Sequence, residues 1–336
     1  MRTNLLPLVG RRLRRDLMNH SGVTLVPSGV ILTKEHLQLI HNHGISFADI
    51  VKMTEQTAYP HDLLIQEASE EMREVFHSMK INERVPIEDI SNKVLPSLYH
   101  MAESVDLSGL LSGIQSKDDY TYRHNIGVGV ISTMIGKWLR LSNEDLEELT
   151  LAATLHDVGK VWIPDNILNK TGKFTPEELA VMKQHAQLGY NILRRTPGTS
   201  ERVALVALQH HEREDGGGYP YGIQGNRIDF FSKIVAVADV FHAMSTNRVY
   251  RGAIPFFKVV STIAEGGYTQ FDPMIAAVFT QRMMELAIGS TVILSDGREG
   301  TIRMVHASDP LHPLVQLGTE YIDLHQQRSI SLVHIS

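Results

Sequence analysis

The chain has 336 residues, with 32 basic against 38 acidic side chains for a formal net charge of -6 and a hydrophobic fraction of 43%. That length and apolar content build a real core across two or three domains and exclude general disorder, while the acidic balance argues against a nucleic-acid polymer as partner. With no cysteine, disulfides and thiolate metal sites are impossible, so any metal is held by nitrogen and oxygen.

Residues 1–53 read as a small separate α/β module. A basic cluster (Arg11, Arg12, Arg14, Arg15) precedes a short strand pair with Pro27, Ser28 and Gly29 as turn residues, and Thr33 caps a helix that stops near Gly44. Residues 54–109 form a mostly helical linking layer, broken by Pro60, Pro86 and Pro96. Residues 110–287 are strongly helical. Ser142 with Asp145, and Thr175 with Pro176 and Glu178, match capping boxes, and Ser200 caps a helix that leads directly to His210 and His211. In residues 288–336 the period switches to two: Val292 and Leu294, a turn at Asp296 and Gly297, then Ile302, Met304, Leu314, Val315, Leu317, Ile322, Leu324 and Leu332. About five short strands suggest a small barrel. The fold class is therefore mainly α, a helical bundle with a small α/β amino-terminal module and a small β-barrel-like carboxy-terminal domain. No apolar run reaches the roughly 18 residues needed to cross a bilayer and no signal-peptide pattern opens the chain, so a cytoplasmic location is expected.

Two clusters carry chemistry: HDVGK, from His156 to Lys160, and HHEREDGGGYP, from His210 to Pro220. His124 shares a helix face with Val128, Ile131 and Ile135; His185 lies beside Val181, Leu188 and Ile192; His210 follows Val203 and Val206 at helical spacing. Taken singly, each is an ordinary core histidine. Asp239 changes the balance, because it follows the run Ile234 to Ala238, where an unpaired buried carboxylate is expensive. Adjacent ligands on a regular helix diverge by about 100 degrees, so His156 and Asp157 converge best at a helix end. Gly159 is placed to turn the chain away in a left-handed end position. Structural zinc needs only four ligands; seven candidates imply two ions sharing a carboxylate, an arrangement suited to phosphate-ester hydrolysis.

The ordered set of HDVGK, His185, HHE, DGGGYP, AVADVF and TNRVYR, from about Tyr120 to Phe279, resembles the HD-GYP family of cyclic di-GMP phosphodiesterases within the HD metallohydrolase superfamily. The resemblance implies an HD-type bundle in which His124, His156, Asp157 and Asp239 hold one divalent ion, iron or manganese, and His185, His210 and His211 hold the second, with Asp157 bridging. It implies hydrolysis of cyclic di-GMP to linear pGpG, and onward to GMP, by a metal-bridging hydroxide. Lys160 then stabilises charge or protonates the departing oxygen, Arg248 and Arg251 bind substrate phosphates, and Gly217, Gly218, Tyr219 and Pro220 form the loop beside the site. Asp215 helps fix that loop. A nucleotide receptor without turnover, and a phosphodiesterase for cyclic GMP-AMP, are the alternatives.

Two positions depart from the family pattern. Tyr120 stands where three-metal members carry a glutamate, with Asp119 off the helical register, so two ions and accumulation of pGpG are expected. His242 replaces an aspartate on the same face as Asp239, and is expected not to be a ligand. The amino-terminal module is the expected place for protein partners, and a homodimer is the expected assembly.

Overall fold

A computed structural model of the protein describes residues 11–19, 22–30, 32, 34–43, 45, 50, 53–56, 61–82, 84–104, 107–114, 120–246 and 254–335. They divide into two compact units between Leu64 and Ile65. In the first unit, β1 (Arg11–Leu13) pairs antiparallel with β4 (Thr54–Gln56), and β2 (Leu17–Met18) pairs antiparallel with β3 (Thr24–Val26). The helix α1 (Lys34–Asn42) follows β3. Gly29 supplies the turn expected after β3: its φ is 82°, a left-handed value natural to glycine, and its N–H donates to Leu13 O at 2.7 Å. Thr33 and Gly44, the expected ends of α1, lie outside the described residues.

The second unit is built on helices: α2 (His61–Asn82), α3 (Leu95–Ser104), α4 (Leu107–Ile114), α5 (Tyr120–Trp138), α6 (Asn143–Leu155), α7 (Pro176–Arg195), α8 (Glu201–Gln209), α9 (Phe230–Ser245), α10 (Phe256–Gly266) and α11 (Pro273–Leu286). Pro96 does not break its segment. A π-helical turn over Ile90–Val94 runs straight into α3, so Pro96 lies inside a continuous helical run.

The caps follow from side-chain length. At α7, Thr175 accepts from Glu178 N while the Glu178 carboxylate accepts from Thr175 N, a complete capping box. At α8, Ser200 accepts from Val203 N. At α6 only half the expected box forms: Ser142 accepts from Asp145 N, but the shorter Asp145 carboxylate accepts from the Ser142 hydroxyl at 2.8 Å instead of reaching back to the backbone.

The core lies where α5 packs against α6 and α9, and where α8 packs against α6 and α7. Phe231, Phe241 and Phe279 are fully buried in it. Gly129 lets the helices close, since a Cβ there would lie 2.6 Å from Leu98 Cδ2 and 2.8 Å from Thr154 Oγ1.

The carboxy-terminal strands form a five-stranded antiparallel sheet in the order β8 (Glu320–Asp323), β7 (Asp309–Leu317), β6 (Glu299–His306), β5 (Thr291–Leu294), β9 (Leu332–Ile335). It is open, not the expected barrel. Among the described residues β8 pairs only with β7 and β9 only with β5, which leaves two edges. Its apolar side, carrying Val292, Leu294, Ile302, Val315 and Ile322, is buried, and α11 packs against β6 and β7; a helix covers what closure would otherwise hide. Met304, expected inside, is exposed, because the ladder shifts register between Ile302 and Met304 and turns the side chain outward. No helix among the described residues is long and apolar enough to cross a membrane.

Candidate metal centre

The helix ends decide where the ligand atoms meet. α6 stops at Leu155 with His156 as its C-cap, and Asp157 then starts a 3-10 turn over Val158–Trp162. This change of helix type brings two adjacent side chains to one side. Gly159 has no left-handed φ, contrary to expectation; the chain continues as a helical turn. Its lack of a side chain serves proximity: a Cβ there would lie 1.9 Å from His185 O and 2.5 Å from Gly189 N, so only glycine lets this turn lie against α7. His185 enters on α7, His210 and His211 at the end of α8, His124 on α5, and Asp239 on α9.

Asp157 stands between two sets of imidazoles. Its Oδ2 lies 3.3 Å from His156 Nε2 and 3.6 Å from His124 Nε2, and accepts from Lys160 Nζ. Its Oδ1 lies 3.3 Å from His185 Nε2 and 3.7 Å from His210 Nε2. Asp239 presents Oδ1 to His124 Nε2 at 3.1 Å and Oδ2 to His211 Nδ1 at 3.8 Å. Asp239 is less buried than its apolar neighbours suggest, because it forms part of a cavity wall. Among the described residues, two groups have candidate ligand atoms mutually within 4.8 Å: His124, His156 and Asp157, and Asp157, His185, His210 and His211.

Hydrogen bonds fix which nitrogen faces inward. His156 Nδ1 donates to Ala153 O at 2.7 Å, His185 Nδ1 to Met182 O at 2.7 Å, and His210 Nδ1 to Val206 O and Ala207 O at 3.1 Å. Each Nε2 therefore keeps a lone pair pointing at the cluster. These three Nε2 atoms and Asp157 Oδ1 are buried without a hydrogen-bond partner, an arrangement too costly to persist four times over unless a cation satisfies it. The site thus fits a divalent metal by its own chemistry. His242 is not aimed into the cluster: its Nδ1 lies 3.0 Å from His124 Nδ1, a contact able to orient the His124 ring.

The charges are set for cation binding. Burial raises the Asp157 carboxyl, but Lys160, His156 and His185 outweigh it and hold it well below the usual carboxylate range. Burial likewise raises Asp239, and His124 beside it brings the net value well below normal. Burial pushes His124, His185 and His210 down, and His211 to about 3. His156 is raised, because Asp157 overcomes the effect of burial.

A pH dependence follows for the metal-free protein. Unfolded imidazoles take up a proton near pH 6.5, whereas four of these five stay neutral in the fold to lower pH. The unfolded state then binds more protons, so the stability present above 6.5 is lost as pH falls, for His211 through a window reaching about 3. His156 acts in the opposite sense, one group against four. Thermal melts in chelator should show Tm falling between about pH 7.5 and 5.5; a flat or rising Tm contradicts this.

The loop after His211 is held by Asp215, as expected, and by Glu212, which the motif alone does not single out. The buried Glu212 accepts from Tyr221 N at 2.8 Å and Ile223 N at 3.2 Å. Asp215 Oδ1 accepts from Gly217 N at 2.7 Å, as a loop-fixing residue should. A Cβ on Gly218 would lie 2.5 Å from Glu212 Cα and His211 O, so glycine lets the loop fold back and Tyr219 stack on His211, ring centroids 4.5 Å apart. A cavity of about 240 Å³ opens here; His210, His211, Asp239, Gly217, Gly218 and Tyr219 line it, together with Lys183 and Arg213, while Pro220 does not. Arg248, Arg251 and Asp119 lie outside the described residues, as does the side chain of Tyr120.

This fold and site define a helical domain with a divalent-metal centre of histidines and aspartates. The HD domain family model matches residues 87–275, more than half of the chain, and the chain belongs to that family. It is similar to a cyclic di-GMP phosphodiesterase of Pseudomonas aeruginosa, 33% identical over 204 residues that cover 61% of this chain and 49% of the relative. A 3'3'-cGAMP-specific phosphodiesterase of Vibrio cholerae is 36% identical over 160 residues, 48% of this chain and 35% of the relative. The chain thus spans half or less of the length of these relatives. The solved structure of an HDG"Y"P protein from Bdellovibrio bacteriovorus shares the fold, with a TM-score of 0.55 at 16% identity over 82% of this chain and 94% of that one.

Proposed function

We propose that the chain is a phosphodiesterase of the HD-GYP type that opens cyclic di-GMP to linear pGpG, with two divalent cations, iron or manganese, at its centre. The observation that carries this reading is the division of Asp157: one oxygen faces His124 and His156, the other His185 and His210. A single carboxylate shared between two sets of imidazole lone pairs suits two cations better than one. His124, His156, Asp157 and Asp239 would hold the first, and Asp157, His185, His210 and His211 the second. When bound, the cations supply Lewis acidity and an acidified water.

The remaining work falls to the chain. The hydrogen bonds to Ala153 O, Met182 O and Val206 O keep His156, His185 and His210 in the metal-binding tautomer. Lys160 holds a proton at Nζ beside Asp157, from which it neutralises phosphate charge or protonates the departing ribose oxygen. Tyr219, raised by burial, stays a neutral phenol in the cavity wall and can donate to a phosphate oxygen. Gly218 and Pro220 shape its loop, and Arg248 and Arg251 are assigned to the substrate phosphates on the strength of the resemblance.

The cGAMP-specific relative supports a second reading, in which cyclic GMP-AMP is the substrate. Anaerobically purified protein loaded with Fe²⁺ or Mn²⁺ is mixed with each dinucleotide and the products are followed in time. Cyclic di-GMP should be consumed faster and pGpG should accumulate. Faster loss of cyclic GMP-AMP favours the second reading, rapid stoichiometric GMP rejects accumulation of pGpG, and binding without hydrolysis rejects the enzyme.

A further inference from the structure

The cavity beside the metal centre is lined by two cations that make no ion pair with the two carboxylates in the same wall, Glu212 and Asp239. Lys183 and Arg213 both line it, together with His210, His211 and Asp239, and among the described residues neither has an ion-pair partner. The nearby acids are engaged elsewhere: Glu212 with the Tyr221 and Ile223 amides, Glu214 with Lys233 at 2.7 Å, Asp215 with the Gly217 amide, and Asp239 with His124. Two cations left without an ion pair in a wall that also carries His210, His211 and Asp239 are free to meet an anion there.

Lys183 is also positioned. It precedes His185 by two residues on α7, and its Nζ lies 4.8 Å from the centroid of the Tyr219 ring, which itself stacks on His211. The ring thus holds the ammonium at the cavity through a cation–π contact, and an ammonium fixed before binding loses less entropy on meeting its ligand. Arg213 adds a fork that can grip a phosphate through two parallel hydrogen bonds.

A cyclic dinucleotide carries two phosphodiesters, of which the cation centre engages the one being cut. The other is an anion that must lie in the same cavity. We propose that Lys183 and Arg213 form the subsite for this second, uncut phosphate and so make the site selective for dinucleotides over simple phosphodiesters. This rests on the phosphodiesterase reading above.

Steady-state kinetics of the full chain loaded with Mn²⁺ test it on two substrates: cyclic di-GMP, and bis(p-nitrophenyl) phosphate, which carries a single phosphodiester. In Lys183→Gln and Arg213→Gln, the ratio of kcat/KM for the dinucleotide to that for the small ester should fall about tenfold, about 1.4 kcal/mol, mainly through KM. Lys183→Arg should recover most of the loss. Calorimetric Kd for cyclic di-GMP should weaken by the same factor. A ratio within about twofold of the wild type, or equal losses on both substrates, overturns the subsite. A wild type that binds cyclic di-GMP without cutting it defeats the phosphodiesterase reading alone, and the Kd values then decide the subsite. A wild type that does neither defeats both.

Discussion

Asp157→Asn is expected to leave the helical domain folded while reducing phosphodiester hydrolysis by at least about 10³-fold, roughly 4 kcal/mol of transition-state stabilisation. The substitution is nearly isosteric, so packing gives it little reason to unfold. What it removes is a charge and an oxygen at the point where the site is joined. Oδ1 faces His185 and His210 at 3.3 and 3.7 Å, and Oδ2 faces His156 and His124 at 3.3 and 3.6 Å. An amide offers an oxygen to only one of these sets, and turns its N–H groups toward the lone pairs of the other. Metal content should fall from two ions per chain to one or none, with a melting curve close to that of metal-free wild type. A variant that keeps both ions, or most of its turnover, would show that Asp157 is not shared.

The second large effect is expected in stability. Gly159→Ala places a methyl group 1.9 Å from His185 O and 2.5 Å from Gly189 N. These are backbone atoms in the middle of α7, so no side-chain rotation relieves the clash, and either α7 or the 3-10 turn must move. Overpacking of a core commonly costs about 1 to 3 kcal/mol; with backbone on the far side, a loss near the top of that range is expected, read as a lower urea midpoint at unchanged m-value. Because His185 is carried on the displaced helix, affinity for one of the two cations should drop as well. Gly189→Ala is the contrasting case. Its Cβ would meet Ala207 Cβ at 3.2 Å and Gly159 N at 3.3 Å, a tight fit partly offset by the higher helix propensity of alanine, so its midpoint should change much less. Equal midpoints for the two variants would contradict the close approach of the turn to α7.

Features that a short stretch decides are legible in the sequence. Thr175 and Ser200 cap their helices because the bond each makes lies within four residues, and His156 and Asp157 fall at a helix end because α6 and its cap define that end. The alternation from Val292 to Leu332 located the carboxy-terminal strands. Whether they close is not written in the alternation, since closure depends on which strands pair at the edges and on the packing of α11 against β6 and β7. The role of Gly159 is hidden for a related reason: its neighbour is α7, and nothing in HDVGK reveals that a backbone atom would lie 1.9 Å from an added Cβ. Glu212, Lys183 and Arg213 do not stand out in the sequence because a buried carboxylate between loop amides, or a cation in a cavity wall, is defined by tertiary structure. A charged residue within two positions of a cluster histidine, as Glu212 after His211 or Lys183 before His185, is the available hint.

The central claim is that Asp157 is the shared ligand of two cations. Anomalous diffraction from crystals of the chain grown with Mn²⁺ tests it most directly. Two manganese peaks per chain are predicted, one on each side of the Asp157 carboxylate, the first against His124 and His156 and the second against His185, His210 and His211. A single peak, or two peaks of which only one touches Asp157, would contradict the account.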